Sequence, residues 1–298
     1  MTLRIGTRRS PLALVQAEMV RAALADVGVD SEIVPMTTSG DEGADTAMSE
    51  QGLKGLWIDT ILAALREGRL DLAVHSAKDL PADVGDDLVI GAVPPRADPR
   101  DVLITRTADM TLGEHVSVGT SSVRRAAQLR AAYPGVEIRE LRGNVGTRLR
   151  KLFEGACQAT VLAAAAIDRL GLDPAYSRPL GPEEMLPAPG QGALAVQCRT
   201  DDRSMRAKLG LIDHAPSHVA LDAERELMRR FGGGCALPLG ALAREREGKV
   251  EMVAVVASPT GSRLARAAVR AASADQAAAA AEQELAREGA GDILAALR

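Results

Sequence analysis

Apolar positions in the first third of the chain alternate between two rhythms. Leu3–Thr7 is a short apolar run, and Leu12, Val15, Met19 and Leu24 then recur at helical spacing as far as about Asp26. Ser10-Pro11 starts that helix with a capping hydroxyl followed by proline at the first helical position. Glu32–Thr37 reads as the next strand, and residues 38–53, with their glycines and acidic side chains, as a loop. Leu56–Arg66 predicts a helix, and Leu70–His75 and Leu88–Val93 predict strands, before Pro94-Pro95 breaks the pattern.

The rhythm then repeats. Val116–Thr120 is a strand ending in Gly-Thr, as Ile5-Gly6-Thr7 does, and Ser121 and Ser122 cap a helix carrying Arg124 and Arg125. Glu137–Leu141 leads through a turn to a helix beginning near Val145, and Ala159–Ala163 is a buried strand placed like Leu70–His75. Strands alternating with helices predict right-handed crossovers and parallel sheets. The fold class is α/β, with two similar periplasmic-binding-protein-like α/β domains around a cleft. After Gln191 the pattern changes. Ala193–Cys198 reads as a strand returning to the first domain, and Leu221, Glu224, Leu227 and Met228 mark a helix. Val250, Met252, Ala254 and Val256 alternate as antiparallel strands do, and alanine-rich Ala271–Arg287 reads as helix. The predicted domains are 1–94 plus 192–211, 95–191, and a small α+β domain at 212–298.

With 298 residues, 46% hydrophobic and 26% charged, the chain has the makeup of a soluble protein with two or three cores. It has no apolar run of membrane-spanning length and no basic-then-apolar leader, so the expected location is cytoplasmic. A net charge of −4 argues against general nucleic-acid binding. All but five of the 36 basic residues are arginines, and several stand beside glycine-bearing strand ends. A planar guanidinium takes a carboxylate or phosphate through two hydrogen bonds, so these clusters point to anionic ligands.

His75-Ser76-Ala77-Lys78-Asp79 follows a strand end, where α/β domains place ligands. Asp79 is suited to stabilise a developing cation or relay a proton, and Lys78 to hold an acid; the alternative is a solvated Asp turn. Arg142-Gly143-Asn144-Val145-Gly146-Thr147-Arg148 brackets a helix start with two arginines, as an anion site requires. Arg8-Arg9-Ser10 occupies the matching position in the first unit; Arg169, just past Ala159–Ala166, is either another member of the set or, taken alone, a surface residue. If Arg124, Arg125, Arg142 and Arg148 line one cleft, their mutual repulsion makes it costly when empty. Finally, Cys235 stands in the glycine loop at 232–240, either as a nucleophile or attachment point or as a cysteine folded inward. Cys157, Cys198 and Cys235 are too dispersed for a disulfide framework or a zinc site, and no metal signature is present.

Taken in order, Thr7–Leu14, Ser39–Asp41, Lys54–Leu56, His75–Pro81, Gly119–Arg125, Leu141–Leu149, Pro189–Ala193 and the Cys235 loop resemble the porphobilinogen deaminase (hydroxymethylbilane synthase) family over nearly the whole chain. The resemblance implies a dipyrromethane cofactor held by thioether to Cys235. It also implies stepwise condensation of four porphobilinogen molecules with loss of ammonia, then hydrolytic release of hydroxymethylbilane, by a monomer. Asp79 matches the family's catalytic carboxylate. Ser76, Lys78, Thr120, Ser122, Arg124, Arg125 and Gly143 match cofactor-binding positions. Arg8, Ser10, Gln16, Lys54, Arg142, Arg148 and Arg169 match substrate-binding ones. Each pyrrole brings two carboxylates, which accounts for the many arginines. One departure stands out: Trp57-Ile58-Asp59-Thr60-Ile61-Leu62 puts Asp59 where the family usually has lysine. Two other readings are a non-catalytic two-lobed anion-binding protein and an inactive homologue.

Overall fold

The computed structural model describes residues 2–36, 50–233 and 237–297, with side chains from 58 onward in the second stretch. Ser39–Asp41, the Lys54 and Trp57 side chains and Cys235 therefore lie outside the described residues. The chain opens with β1 (Leu3–Arg8), α1 (Pro11–Asp26), β2 (Ser31–Met36), α2 (Glu50–Arg66), β3 (Leu72–Ser76) and β4 (Leu88–Ala92). It continues with β5 (Asp101–Thr105), β6 (Ser117–Gly119), α3 (Val123–Ala132), β7 (Glu137–Arg139) and α4 (Val145–Phe153). Next come β8 (Ala159–Ala163), α5 (Ala164–Arg169), β9 (Ser177–Pro179) and β10 (Leu194–Arg199). The final third holds α6 (Arg203–Leu209), α7 (Ala215–Arg230), β11 (Leu239–Arg246), β12 (Lys249–Ala257), β13 (Leu264–Ala271), α8 (Ala274–Arg287) and α9 (Ala290–Ala295).

Two five-stranded sheets share one plan, β2-β1-β3-β10-β4 and β7-β6-β8-β5-β9. In each, the strand second from one edge runs parallel to both its neighbours, β2 and β3 beside β1, β7 and β8 beside β6. The expectation of parallel sheets is corrected at the fourth strand. β10 runs antiparallel to β3 and β4, and β5 antiparallel to β8 and β9. The reason is connectivity: β5 and β10 each enter their sheet after the chain has crossed from the other one, at 93–100 and again at 188–193. A strand arriving that way need not follow the crossover rule that keeps neighbouring βαβ strands parallel.

The third sheet, β11-β12-β13, is antiparallel throughout. Its alternation sends Ala241, Ala243, Val250, Met252, Ala254 and Val256 inward against Ala223, Leu227, Ala277, Ala281 and Leu285 of the helices. Small side chains on both faces let α7 and α8 approach closely. Two boundaries differ from expectation. α2 begins at Glu50, because Glu50, Gln51, Leu53 and Lys54 are good helix formers that outweigh Gly52 and Gly55. Ala271 ends β13 rather than starting a helix; Ala265 and Ala267 are buried and Arg266 and Arg270 outward, a period of two that overrides alanine's helix preference. The helix that follows is capped by Ser273, whose Oγ accepts from Gln276 N at 3.3 Å. β5 was not expected from the sequence pattern. No helix among the described residues is long and apolar enough to cross a membrane.

Candidate active site

The ends of β1 and β3 meet the start of α1. Ser10 caps that helix, its Oγ accepting from Ala13 N at 3.3 Å, and Thr7 Oγ1 donates to Ala13 O at 3.2 Å. Gln16, buried one turn further on, donates from Nε2 to Ser76 Oγ at 2.8 Å and so fixes the end of β3 against the helix. The resulting cavity of about 70 Å³ is lined by Arg8, Ser10, Gln16, Ile58, His75, Ser76 and Asp79, among others. Five residues singled out in the sequence, Arg8, Ser10, Gln16, Ser76 and Asp79, thus converge on one space. The first turn of α1 carries no acid, so its unsatisfied amides and Arg8 together favour an anion there.

His75 belongs to the same lining, although no motif in the sequence gives it a role. It is 7% exposed, and its Nε2 is buried with no hydrogen-bond partner among the described residues. Burial pushes the imidazole down to about 4, aided by the charges of Arg8 and Arg225 and opposed by Asp79. His75 is therefore neutral at physiological pH. Asp59, the departure from the family pattern, is exposed and acts electrostatically on Arg66.

In the second sheet the matching helix start is organised differently. Ser122 caps α3, accepting from Arg125 N at 3.4 Å, while Thr120 Oγ1 accepts from Ser122 N at 3.1 Å; Ser121 does not cap. Arg124 and Arg125 point inward, 4% and 6% exposed. Both meet Asp101, with Arg124 Nη1 2.8 Å from Oδ2 and Arg125 Nη2 2.7 Å from Oδ1. Burial alone would raise the Asp101 pKa, but the two guanidinium charges outweigh it and hold the carboxyl well below its usual range. The repulsion expected between these two arginines is present, and Asp101, which no sequence motif marks, offsets part of it. One buried positive charge is left over.

Gln191 joins this cluster to the first sheet. Its Nε2 donates to Asp101 Oδ1 at 2.9 Å and to Pro99 O at 2.8 Å, and its Oε1 accepts from Lys78 Nζ at 3.3 Å. One amide thereby joins Lys78 to the carboxylate that pairs with both arginines. Beside it, Arg96 donates from Nε to Gln191 O at 2.9 Å and pairs with Glu224, which is wholly buried. Glu224 accepts from Arg96 Nη1 and Nη2 at 2.6 and 3.0 Å, from Gly190 N at 2.6 Å and from Ala243 N at 2.7 Å. Both chain crossings and the third sheet thus share one carboxylate. By spacing alone Glu224 reads only as a helix position; a charged residue in an otherwise apolar helical stripe is the signal of its buried role.

The remaining candidates are dispersed. Gly143 has φ +120, and a Cβ there would stand 2.6 Å from Thr147 Cγ2, so only glycine fits. Arg142 is half exposed and donates to Glu140 at 2.6 Å, and Arg148 Nη2 donates to Ser121 Oγ at 3.3 Å. Arg169 is half-buried rather than on the surface; it donates to Gly192 O at 2.8 Å, and its Nε is buried without a partner among the described residues. Arg142, Arg148 and Arg169 are not in the lining of the cavity beside Asp79. Cys157 and Cys198 are buried, and burial raises both thiols, Cys198 to about 11, so neither is a ready nucleophile. Among the described residues no group of His, Cys, Asp and Glu is arranged to hold a metal ion.

Two family models match the chain: "Porphobilinogen deaminase, dipyromethane cofactor binding domain" over residues 3–207 and "Porphobilinogen deaminase, C-terminal domain" over 219–288. The porphobilinogen deaminase of Roseiflexus sp. (strain RS-1) is 50% identical over 247 residues, covering 81% of each chain. That of Syntrophobacter fumaroxidans is 45% identical over 89% of this chain and 87% of its own. That of Paraburkholderia phytofirmans is 43% identical over 99% of this chain and 89% of its own. Among solved structures, a periplasmic substrate-binding protein from Coxiella burnetii is 15% identical over 78% of this chain and 99% of its own, with a TM-score of 0.44. The chain belongs to the porphobilinogen deaminase family, transferases of tetrapyrrole biosynthesis that use a dipyrromethane cofactor.

Proposed function

We propose that the cavity between β1, α1 and β3 is where porphobilinogen is activated and that Asp79 is its catalytic carboxylate. The observation that carries this reading is the convergence of Arg8, Ser10, Gln16, Ser76 and Asp79 on one small space at two strand ends. Loss of ammonia from porphobilinogen leaves a cation delocalised over the pyrrole and its methylene carbon. A fixed carboxylate beside that cation stabilises it more in the transition state than in the ground state. Arg8, with the amides at the start of α1, binds the acetate or propionate of the substrate and turns the pyrrole nitrogen toward Asp79. His75, neutral and buried, brings no competing charge to that cation.

The dipyrromethane, attached at Cys235, supplies the pyrrole carbon onto which substrate units are added. Lys78, Arg124 and Arg125 hold its carboxylates, and Thr120, Ser122 and Gly143 shape the backbone beside it. Burial and raised pKa values at Cys157 and Cys198 support the reading of Cys235 as the reactive thiol. Arg142, Arg148, Arg169 and Lys54 serve the later units of the growing chain. The molecule works as a monomer in the cytoplasm without nucleic acid, with domains at 1–94 plus 192–211, 95–191 and 212–298.

The test is turnover of porphobilinogen by the purified protein, read as ammonia released and hydroxymethylbilane formed. Four ammonia molecules per product is the expected ratio from the condensation chemistry. Binding of porphobilinogen without ammonia release would instead support the two-lobed anion-binding reading.

A further inference from the structure

Arg225 stands on α7, on the far side of the segment that follows Asp79. Its Nη2 donates to Pro81 O at 2.9 Å and to Ala82 O at 3.1 Å. Ala82 in turn packs on the core of the third sheet, and a Cβ on Gly233 would stand 3.0 Å from Ala82 Cβ. The segment after Asp79 is therefore docked on the third sheet's helix at two points, one polar and one apolar.

The choice of an arginine for this contact is costly. Among the described residues its buried Nη1 has no hydrogen-bond partner, and no carboxylate hydrogen-bonds to it. Asp222 and Asp83 act on it only through their longer-range field, and burial works against its charge. Two carbonyls alone would be served by a neutral donor with less desolvation. A single amino group, Nη2, reaches both carbonyls through its two hydrogens and so ties two consecutive residues of the loop to one point on α7. The charge of Arg225 is felt at His75, which also senses Asp79 and Arg8, so the clamp and the cavity share one electrostatic environment.

We infer that Arg225 is a positioning residue for Asp79: it holds the Leu80–Ala82 segment against α7 and thereby fixes where the Asp79 carboxylate stands in the cavity. This rests on the reading of Asp79 as the catalytic carboxylate. Arg225 touches neither substrate nor cofactor in this role; it acts through the loop.

The experiment uses the holoprotein and four variants, Arg225→Lys, Arg225→Gln, Asp79→Asn and the double variant Asp79→Asn/Arg225→Gln. Each is assayed well below its melting temperature, with cofactor content checked by intact mass. Displacing a reacting group by about 1 Å can cost about a hundredfold, so Arg225→Gln should lower kcat by about tenfold or more while KM stays within about twofold. Arg225→Lys, which keeps the charge and a donor, should recover most of that loss. The double variant should be no slower than Asp79→Asn alone, since a clamp acting through Asp79 has nothing left to position. Unchanged kcat in Arg225→Gln, or losses that add in the double variant, would overturn the inference while leaving Asp79 in its role. Near-normal turnover in Asp79→Asn would remove the reading of Asp79 and the inference with it.

Discussion

Arg125 Nη2 lies 2.7 Å from Asp101 Oδ1, and Asp101 is wholly shielded from solvent. Arg124 takes the other oxygen of the same carboxylate. Two consecutive arginines in the first turn of a helix oppose its dipole and repel each other, so without Asp101 neither would stay buried. The carboxylate holds both side chains, and Arg124 Nη1 also donates to Leu186 O.

Replacing Asp101 with Asn should therefore uncover two buried charges at once. Removing one partner of a buried ion pair typically costs about 3–5 kcal/mol, and that loss is expected in urea denaturation of Asp101→Asn. Single Arg124→Ala or Arg125→Ala changes should cost less, because Asp101 keeps its other partner. A smaller loss for Asp101→Asn than for either arginine variant would contradict the hub geometry.

Asp79→Asn should fold and carry its cofactor but condense porphobilinogen slowly. Removing a preorganised electrostatic stabiliser costs about 3–4 kcal/mol, so kcat should fall by roughly a hundredfold or more. Stopped-flow measurement of ammonia release, on protein whose mass confirms the attached cofactor, decides it.

His75 gives the fold a pH dependence with a definite sign. Its folded value, about 4, lies below the ordinary 6.5, so in acid the unfolded chain takes up a proton that the folded chain refuses. Stability is then unaffected by this group above about pH 6.5 and falls as the pH drops toward 4, by on the order of 3 kcal/mol. Melting temperatures of wild type and His75→Asn between pH 4 and 7 should diverge in slope, with the variant flatter. Parallel curves would show that His75 does not titrate between the two states in this window.

Cysteine chemistry separates the three thiols. Cys235→Ala should lose the mass of the dipyrromethane, whereas Cys157→Ala and Cys198→Ala should retain it. Retention of the adduct in Cys235→Ala would reassign the attachment.

Glu224 should tolerate Gln better than Ala. Glutamine keeps one carbonyl for Arg96 or the backbone amides, while alanine leaves Arg96, Gly190 N and Ala243 N without their acceptor. A loss of about 3–5 kcal/mol is expected for Glu224→Ala and a smaller one for Glu224→Gln, by thermal or urea unfolding.

Local chemistry made much of this legible in the sequence. Ser10, Ser122 and Asn144 cap helices where a hydroxyl or amide precedes an apolar-periodic run, and the paired Gly-Thr strand ends announced the repeat. The cavity residues were legible because strand ends and helix starts are where such chemistry collects. Asp101, Gln191 and Glu224 were not, because each acts on partners far away in sequence, at separations of up to 128 residues. No local period encodes which arginine a buried acid will meet. Antiparallel entry of β5 and β10 escaped notice for the same reason, since it depends on the chain crossing between sheets rather than on the residues of either strand.

The place of β10 between β3 and β4 has a consequence for synthesis. β4 (Leu88–Ala92) has β10 as its neighbour in the sheet, and β10 is made about a hundred residues later. At ribosomal rates of ~5–20 residues per second, β4 waits on the order of ten seconds with its ladder open. Over that interval the nascent chain presents an unpaired apolar strand, the kind of edge that chaperones cover and other chains adhere to. A fragment ending near residue 100 would therefore be a three-stranded remnant with a sticky tail. The first half of the molecule becomes a finished body only once the second has been made and the chain has returned.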